Sequence, residues 1–128
     1  MKQRTFVCVH GVWHGGWCWS RLADVLRVRG HRVTTPTQTG LGERSHLLSP
    51  DITIQTFVED IVRHLQFEDL TDVILVGHSF GGIPITGVAD ILPERIAKLV
   101  SRRHHAGKRG DLVRSSAARS CGRPPETG

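Results

Sequence analysis

Residues 73–82 read Val-Ile-Leu-Val-Gly-His-Ser-Phe-Gly-Gly, an apolar run that ends abruptly in a serine between glycines. Four consecutive apolar residues, Val73 to Val76, predict a buried strand, and the segment from Gly81 to Leu92 predicts a helix. The junction, Gly77-His78-Ser79-Phe80-Gly81, fits the pattern G-x-S-x-G. In a sharp strand-turn-helix that pattern presents a nucleophilic serine on strained backbone. Side chains two residues either side of the serine would collide in so tight a turn, so Gly77 and Gly81 are the residues it demands. The Ser79 hydroxyl then stands above the strand's carboxyl end, at a helix start whose dipole favours negative charge. The alternative reading of these glycines is tight strand–helix packing alone.

Outward from this junction the same alternation repeats. Thr5 to His10 (TFVCVH) is β-branched and apolar, a buried strand. Trp17 to Arg29 places Trp19, Leu22, Val25 and Leu26 at helical spacing and stops at Gly30, a residue suited to helix ends. His31 to Thr35 reads as a second strand closed by Pro36, followed by the polar loop PTQTGLGERSHLLSP. Ile54, Phe57, Ile61 and Leu65 line one face of a helix of about 13 residues, with Asp51 or Thr53 near its start. Asp72 to Gly77 is the third strand and Ile96 to Val100 the fourth, and Pro84 falls in the third helix's first turn, where its missing N–H costs little. Strands alternating with helices predict an α/β fold: a four-stranded parallel sheet with flanking helices.

A serine that transfers acyl groups needs two backbone N–H donors facing the developing oxyanion. The segment His10-Gly11-Val12-Trp13-His14-Gly15-Gly16-Trp17, at the carboxyl end of the first strand, supplies a loop for one of them. Val12 and Phe80 are the candidate donors, and Gly11, Gly15 and Gly16 let the loop fold against the serine turn. His10 and His14 lie four apart, which suits metal ligands on a helix, but this glycine-rich stretch is no helix; no metal or cofactor is expected.

FVCVHGVWHGGWCW, GHRVTTPTQTGLGERSHLL and VILVGHSFGG together resemble the α/β-hydrolase superfamily. They resemble its branch of small esterases that includes plant methylesterases, hydroxynitrile lyases and bacterial relatives. The resemblance covers residues of about 4 to 100 and implies a strand order of 31–35, 5–10, 72–77, 96–100. It implies Ser79 as nucleophile, Val12 and Phe80 N–H as oxyanion donors, and Gly11, Trp13 and His78 beside a small-molecule ester. Trp13, Phe80 and the loop from Gly40 to Leu48 would line an apolar pocket; Trp13 and Trp17 serve equally well as packing anchors, and Arg44 and His46 read as solvated loop residues. Hydroxynitrile lyases of the branch carry threonine at the position of Gly11 and cysteine at that of Phe80, so both residues here favour the esterase side over lyase-type activity.

With 128 residues, 38% of them hydrophobic and 23% charged, the chain has the makeup of one soluble globular domain, not a fibrous or collagenous one. No run approaches the roughly 20 apolar residues of a membrane span, and TFVCV is too short for a signal peptide's core, so no membrane partner and a cytoplasmic location are expected. Cys8, Cys18 and Cys121 are odd in number and lack CxxC spacing, which implies neither a disulfide framework nor a zinc site.

Residues 1–100 hold ten Lys+Arg and ten Asp+Glu, while residues 101–128 hold seven and two, so the whole net charge of +5 lies in the last 28 residues. That segment has no aromatic residue and only Leu112 and Val113 as larger apolar side chains. It is expected to be a disordered basic tail appended to a partial hydrolase domain at 1–100. Arg102, Arg103, Lys108, Arg109 and Arg114 would attract phosphates weakly and without sequence preference, so no specific nucleic acid is expected as partner.

In the superfamily a catalytic acid and a late histidine follow the serine in chain order. Residues 101–128 offer His104, His105 and Asp111 with nothing to position them, and their composition is that of a GC-rich gene read out of frame. The expectation is a truncated, inactive carboxylesterase whose fourth strand is an exposed edge; translating the downstream gene in all three frames tests it. The alternative is a non-catalytic remnant that binds a ligand or a partner. The sequence assigns no oligomeric state, and His31, His46 and His64 read as surface histidines.

Overall fold

The computed structural model describes residues 3–12 and 14–102. Four parallel strands, β1 (Thr5–Val9), β2 (Arg32–Thr34), β3 (Val73–His78) and β4 (Ile96–Arg102), form one sheet in the order β2-β1-β3-β4. This is the predicted architecture and order. The helices are α1 (Ser20–Val28), α2 (Ile54–Phe67) and α3 (Gly82–Ile91). Parallel neighbours need crossovers, and each crossover here carries a helix. β4 runs two residues beyond its expected end at Val100. Trp13 and residues 103–128, with the expected tail, His104, His105 and Asp111, lie outside the described residues. No helix among the described residues is long and apolar enough to cross a membrane.

Successive side chains of a strand point to opposite faces, so the apolar strands feed two cores. On one face Val7, Val9, Val73 and Leu75 pack against Val58, Ile61, Val62 and Leu65 of α2 and against Ile85 and Val88 of α3. Each such fully buried Leu, Ile or Val contributes about 1.5–3 kcal/mol. On the other face Cys8 and Val33 meet Cys18, Trp19 and Ala23. Burial there pushes the Cys8 thiol up to about 12, which makes it a small apolar filler instead of a nucleophile.

The helix expected over Trp17–Arg29 is two pieces, a 3-10 turn over Gly16–Trp19 and then α1. Trp19 and Ala23 are buried and Leu26 half-buried, while Leu22 and Val25 are 40% and 53% exposed. The expected apolar face is thus only half correct. Gly30 does end the helix, with φ of +89°, and the His31 N–H donates to Leu26 O at 3.0 Å across it. Thr53 precedes α2, its N–H donating to Thr56 Oγ1 at 3.0 Å. Leu99 of β4 is 41% exposed, and β4 pairs only with β3 among the described residues.

Two histidines read as surface residues are structural. His64 is half-buried with Nε2 2.9 Å from Thr34 Oγ1, tying α2 to β2. His31 accepts the Arg4 N–H on Nδ1 at 3.1 Å and packs edge-on against Phe6, 5.5 Å between ring centres. Their partners lie 30 and 27 residues away in sequence and left no local signal. His46 is exposed, as expected.

Candidate active site

The register of the sheet decides what stands beside Ser79. Val9 of β1 pairs with Gly77 of β3, so the two strands end level and the residues that follow them meet. β3 gives way to a 3-10 turn over Ser79–Gly81 and then to α3. Ser79 is exposed and has φ of +57°, a left-handed conformation that costs a residue with a side chain about 1–2 kcal/mol.

The surrounding backbone enforces that conformation. A Cβ on Gly77 would lie 2.7 Å from Gly81 O, the collision within the turn that the motif implies. A Cβ on Gly81 would lie 2.5 Å from Val9 O and 2.8 Å from His10 O. Gly81 is therefore required by the neighbouring strand β1, a reason that the motif alone does not disclose. Among the described residues no hydrogen bond reaches the Ser79 hydroxyl.

The loop after β1 lies against the serine. A Cβ on Gly11 would sit 3.8 Å from Ser79 Cβ and 3.5 Å from His78 O, both ordinary contact distances. Gly11 borders the serine without being needed for space, contrary to the expectation that it lets the loop fold closely. Gly16 does meet that expectation, since its Cβ would overlap Thr35 O. Gly11 O accepts the His14 N–H at 3.2 Å, closing a turn that contains Val12.

His10, considered above as a metal ligand, is fully buried and hydrogen-bonded through both ring nitrogens. Nδ1 is 2.7 Å from Gly11 O, and Nε2 accepts the Gln38 N–H at 3.0 Å. A carbonyl can only accept and a backbone N–H only donate, so the ring is neutral and carries its proton on Nδ1. Desolvation holds its pKa below the usual 6.5, opposed by the bond to Gly11 O. His14 is also held below its usual value by burial, and its Nδ1 has no hydrogen-bond partner among the described residues. Among those residues no group of three or more His, Cys, Asp or Glu is placed to hold a metal ion.

His78 and Phe80 flank the serine on opposite sides. The His78 ring lies 6.3 Å from those of both Trp19 and His14, while Phe80 meets Phe57 of α2 edge-on at 6.0 Å. Of the residues expected beside a substrate, Gly11 borders Ser79, His78 faces Trp19 and His14, and Trp13 lies outside the described residues.

The loop expected over residues 36–50 contains a 3-10 segment, Gly42–Leu47, that the polar sequence did not reveal. It is braced from within. The Thr37 hydroxyl donates to Glu43 Oε2 at 2.6 Å and accepts the Gly16 N–H at 2.8 Å, and Arg44 Nη1 donates to Thr37 O at 3.0 Å. Thr39 donates its N–H and hydroxyl to the two oxygens of Asp60 on α2, each at 2.6 Å. Sequence reasoning missed Gln38 and Asp60. The one available signal was a carboxylate, Asp60, directly before the buried Ile61.

Comparison with known proteins agrees with this geometry. The sequence model of the alpha/beta hydrolase family matches residues 6–120. The chain is 46% identical over 122 residues to a carbendazim-hydrolysing esterase of Nocardioides sp. (strain SG-4G), covering 95% of this chain and 50% of that protein. It is 36% identical over 101 residues to methylesterase 7 of Arabidopsis thaliana, covering 77% and 39%. Among solved structures, an extracellular α/β-hydrolase from a Paenibacillus species superposes with a TM-score of 0.71 at 37% identity, covering 77% of this chain and 39% of that one. The chain thus spans half or less of the length of these relatives. A family match over most of its residues, a parallel sheet in the expected order and a strained serine at the end of β3 agree, and the chain belongs to the alpha/beta hydrolase family.

Proposed function

We propose that this chain carries the nucleophile and the oxyanion loop of a carboxylic-ester hydrolase acting on a small ester. Ser79 Oγ attacks the ester carbonyl carbon, the carbonyl π electrons move to oxygen, and the Val12 and Phe80 N–H groups hold that charge. Collapse of the intermediate expels the alcohol, and water then releases the acid from the acyl-serine. The observation that carries this reading is the exposed Ser79 at φ +57°, beside the loop after β1, where a Cβ on Gly11 would lie 3.8 Å from Ser79 Cβ. The relatives named as esterases support the same class of substrate.

The Ser79 proton needs an acceptor, and none of the described residues hydrogen-bonds to that hydroxyl. Loss of the base costs a serine hydrolase on the order of 10⁶-fold in turnover. The chain spans half or less of its esterase relatives and no described residue engages the Ser79 hydroxyl, so residues 1–100 act in this proposal as the amino-terminal part of a larger catalytic unit, and slow ester hydrolysis at most is expected. A cytoplasmic location and independence of cofactors belong to the same reading.

The test uses the 128-residue chain with a fluorophosphonate probe and with p-nitrophenyl acetate. Slow modification of Ser79, abolished in Ser79→Ala, with little steady-state release of p-nitrophenol, is the expected result. Modification of another residue instead would remove Ser79 from the mechanism. Ser79-dependent hydrolysis at ordinary esterase rates would overturn the expected inactivity while leaving the nucleophile in place.

A further inference from the structure

The peptide unit joining Gly11 to Val12 is one rigid plane, with Gly11 O on one side and the Val12 N–H on the other. Whatever holds Gly11 O therefore sets the direction of the Val12 N–H. Two donors hold it, His10 Nδ1 at 2.7 Å and the His14 N–H at 3.2 Å. Among the described residues no acceptor takes the Val12 N–H itself.

The His10 ring is fixed in turn by the loop after β2. Gln38 donates its N–H to His10 Nε2 and its side-chain amide to His10 O, both at 3.0 Å, and both residues are fully buried. The flanking threonines extend the grip. Thr37 holds the far end of the same loop through the Gly16 N–H, and Thr39 is fastened to Asp60. Residues 37–39 thus grasp the Gly11–Gly15 loop at both ends, and at its first end the chain of contacts runs Gln38, His10, Gly11 O.

We propose that Gln38 and His10 are positioning residues for acyl transfer: through Gly11 O they aim the Val12 N–H at the oxyanion. The proposal rests on the reading of Val12 as an oxyanion donor. Neither side chain touches the substrate, and neither gains or loses a proton in the reaction.

The experiment compares the full chain with His10→Leu, His10→Asn and Gln38→Met. It measures the order of the Val12 amide by ¹⁵N relaxation, and fluorophosphonate labelling of Ser79 resolved into reversible affinity and the rate of the covalent step. His10→Leu is expected to slow the covalent step by about 100-fold, as for a misplaced catalytic group, with affinity unchanged and Val12 disordered. Gln38→Met, nearly isosteric and keeping the backbone donor, loses one hydrogen bond and slows it by about 10-fold. His10→Asn keeps a donor near Gly11 O and recovers most of the rate. A Val12 amide as ordered in Gln38→Met and His10→Leu as in the parent overturns the proposal, as does a loss confined to affinity or an Asn variant no better than Leu. If His10→Leu does not fold, Gln38→Met and His10→Asn decide the matter. Absence of any labelling of the parent at Ser79 counts against the nucleophile assignment instead, and Val12 order then judges the positioning pair by itself.

Discussion

The turn at Ser79 and the loop at Gly11 touch, yet they keep their shapes by different means. The turn is held by exclusion, because the backbone atoms of Val9, His10 and Gly81 fill the space where side chains on Gly77 and Gly81 would go. The loop is held by attraction, through a buried relay of directional bonds from Gln38 through His10 to Gly11 O. Exclusion is insensitive to pH and intolerant of a single methyl group. Directional bonds tolerate added volume but depend on protonation and on a partner far away in sequence.

The largest effect should come from adding that methyl to the turn. In Gly81→Ala the new Cβ meets the carbonyl oxygens of Val9, the last residue of β1, and of His10 just after it, backbone held beside β3 by the strand pairing. A loss of about 3 kcal/mol or more is expected, or failure to fold, read from the urea midpoint. A midpoint close to the parent's would show that the turn is not sterically held.

Next in size is the anchor of the loop's scaffold. Asp60→Ala leaves the Thr39 N–H and hydroxyl without their carboxylate, and two bonds of about 1.5 kcal/mol each to such an acceptor amount to about 3 kcal/mol together. Asp60→Asn keeps one acceptor and should recover roughly half of that. Equal losses in the two variants would mean that packing of α2, not the bonds, sets the cost.

The same contrast explains what could be read in advance. The serine turn was legible because its requirement is local: glycines two positions either side of a serine, between an apolar strand and a helix, leave their mark within ten residues. The strand order was legible through the family resemblance, and the α/β alternation through periodicity. The relay was not, since Gln38 lies 28 residues from His10 in a polar loop without period. The sequence argued against metal binding by His10, but its buried, doubly bonded role had no local sign, because a satisfied histidine and an open one have the same letter. The face of α1 was misjudged for another reason: four apolar residues at helical spacing gave no sign that Trp19 would belong to a 3-10 turn or that Leu22 and Val25 would stay exposed.

Protonation separates the two mechanisms. His10, His14 and His64 are all held below 6.5 by burial, so the unfolded chain binds more protons than the native one just below that pH. Stability should be full above about 6.5 and fall as the pH drops from there toward the lowered native values. Neighbouring charges modulate this: Glu43 and Asp60 favour a proton on His10 while His14 opposes it, and at His64 Glu68 favours and Arg32 opposes it. Urea midpoints that decline between pH 7.5 and 5.5, with Val12 amide order lost in step, would place the relay among the acid-sensitive elements. A midpoint flat across that range would contradict the buried neutral histidines.

The smallest effect marks the boundary between exclusion and attraction. Gly11 lies beside Ser79, but its φ is not positive and a Cβ there finds its nearest neighbour, His78 O, at 3.5 Å. Gly11→Ala should therefore change stability by no more than about 0.5 kcal/mol, against the several expected at Gly81. The new methyl would lie 3.8 Å from Ser79 Cβ, on the side from which Gly11 faces the serine. Its consequence should appear as slower fluorophosphonate labelling of Ser79 through weaker reversible binding, with the urea midpoint unmoved. A large loss of stability in Gly11→Ala would mean that steric exclusion extends across the loop, and the hydrogen-bond relay would then be secondary to it.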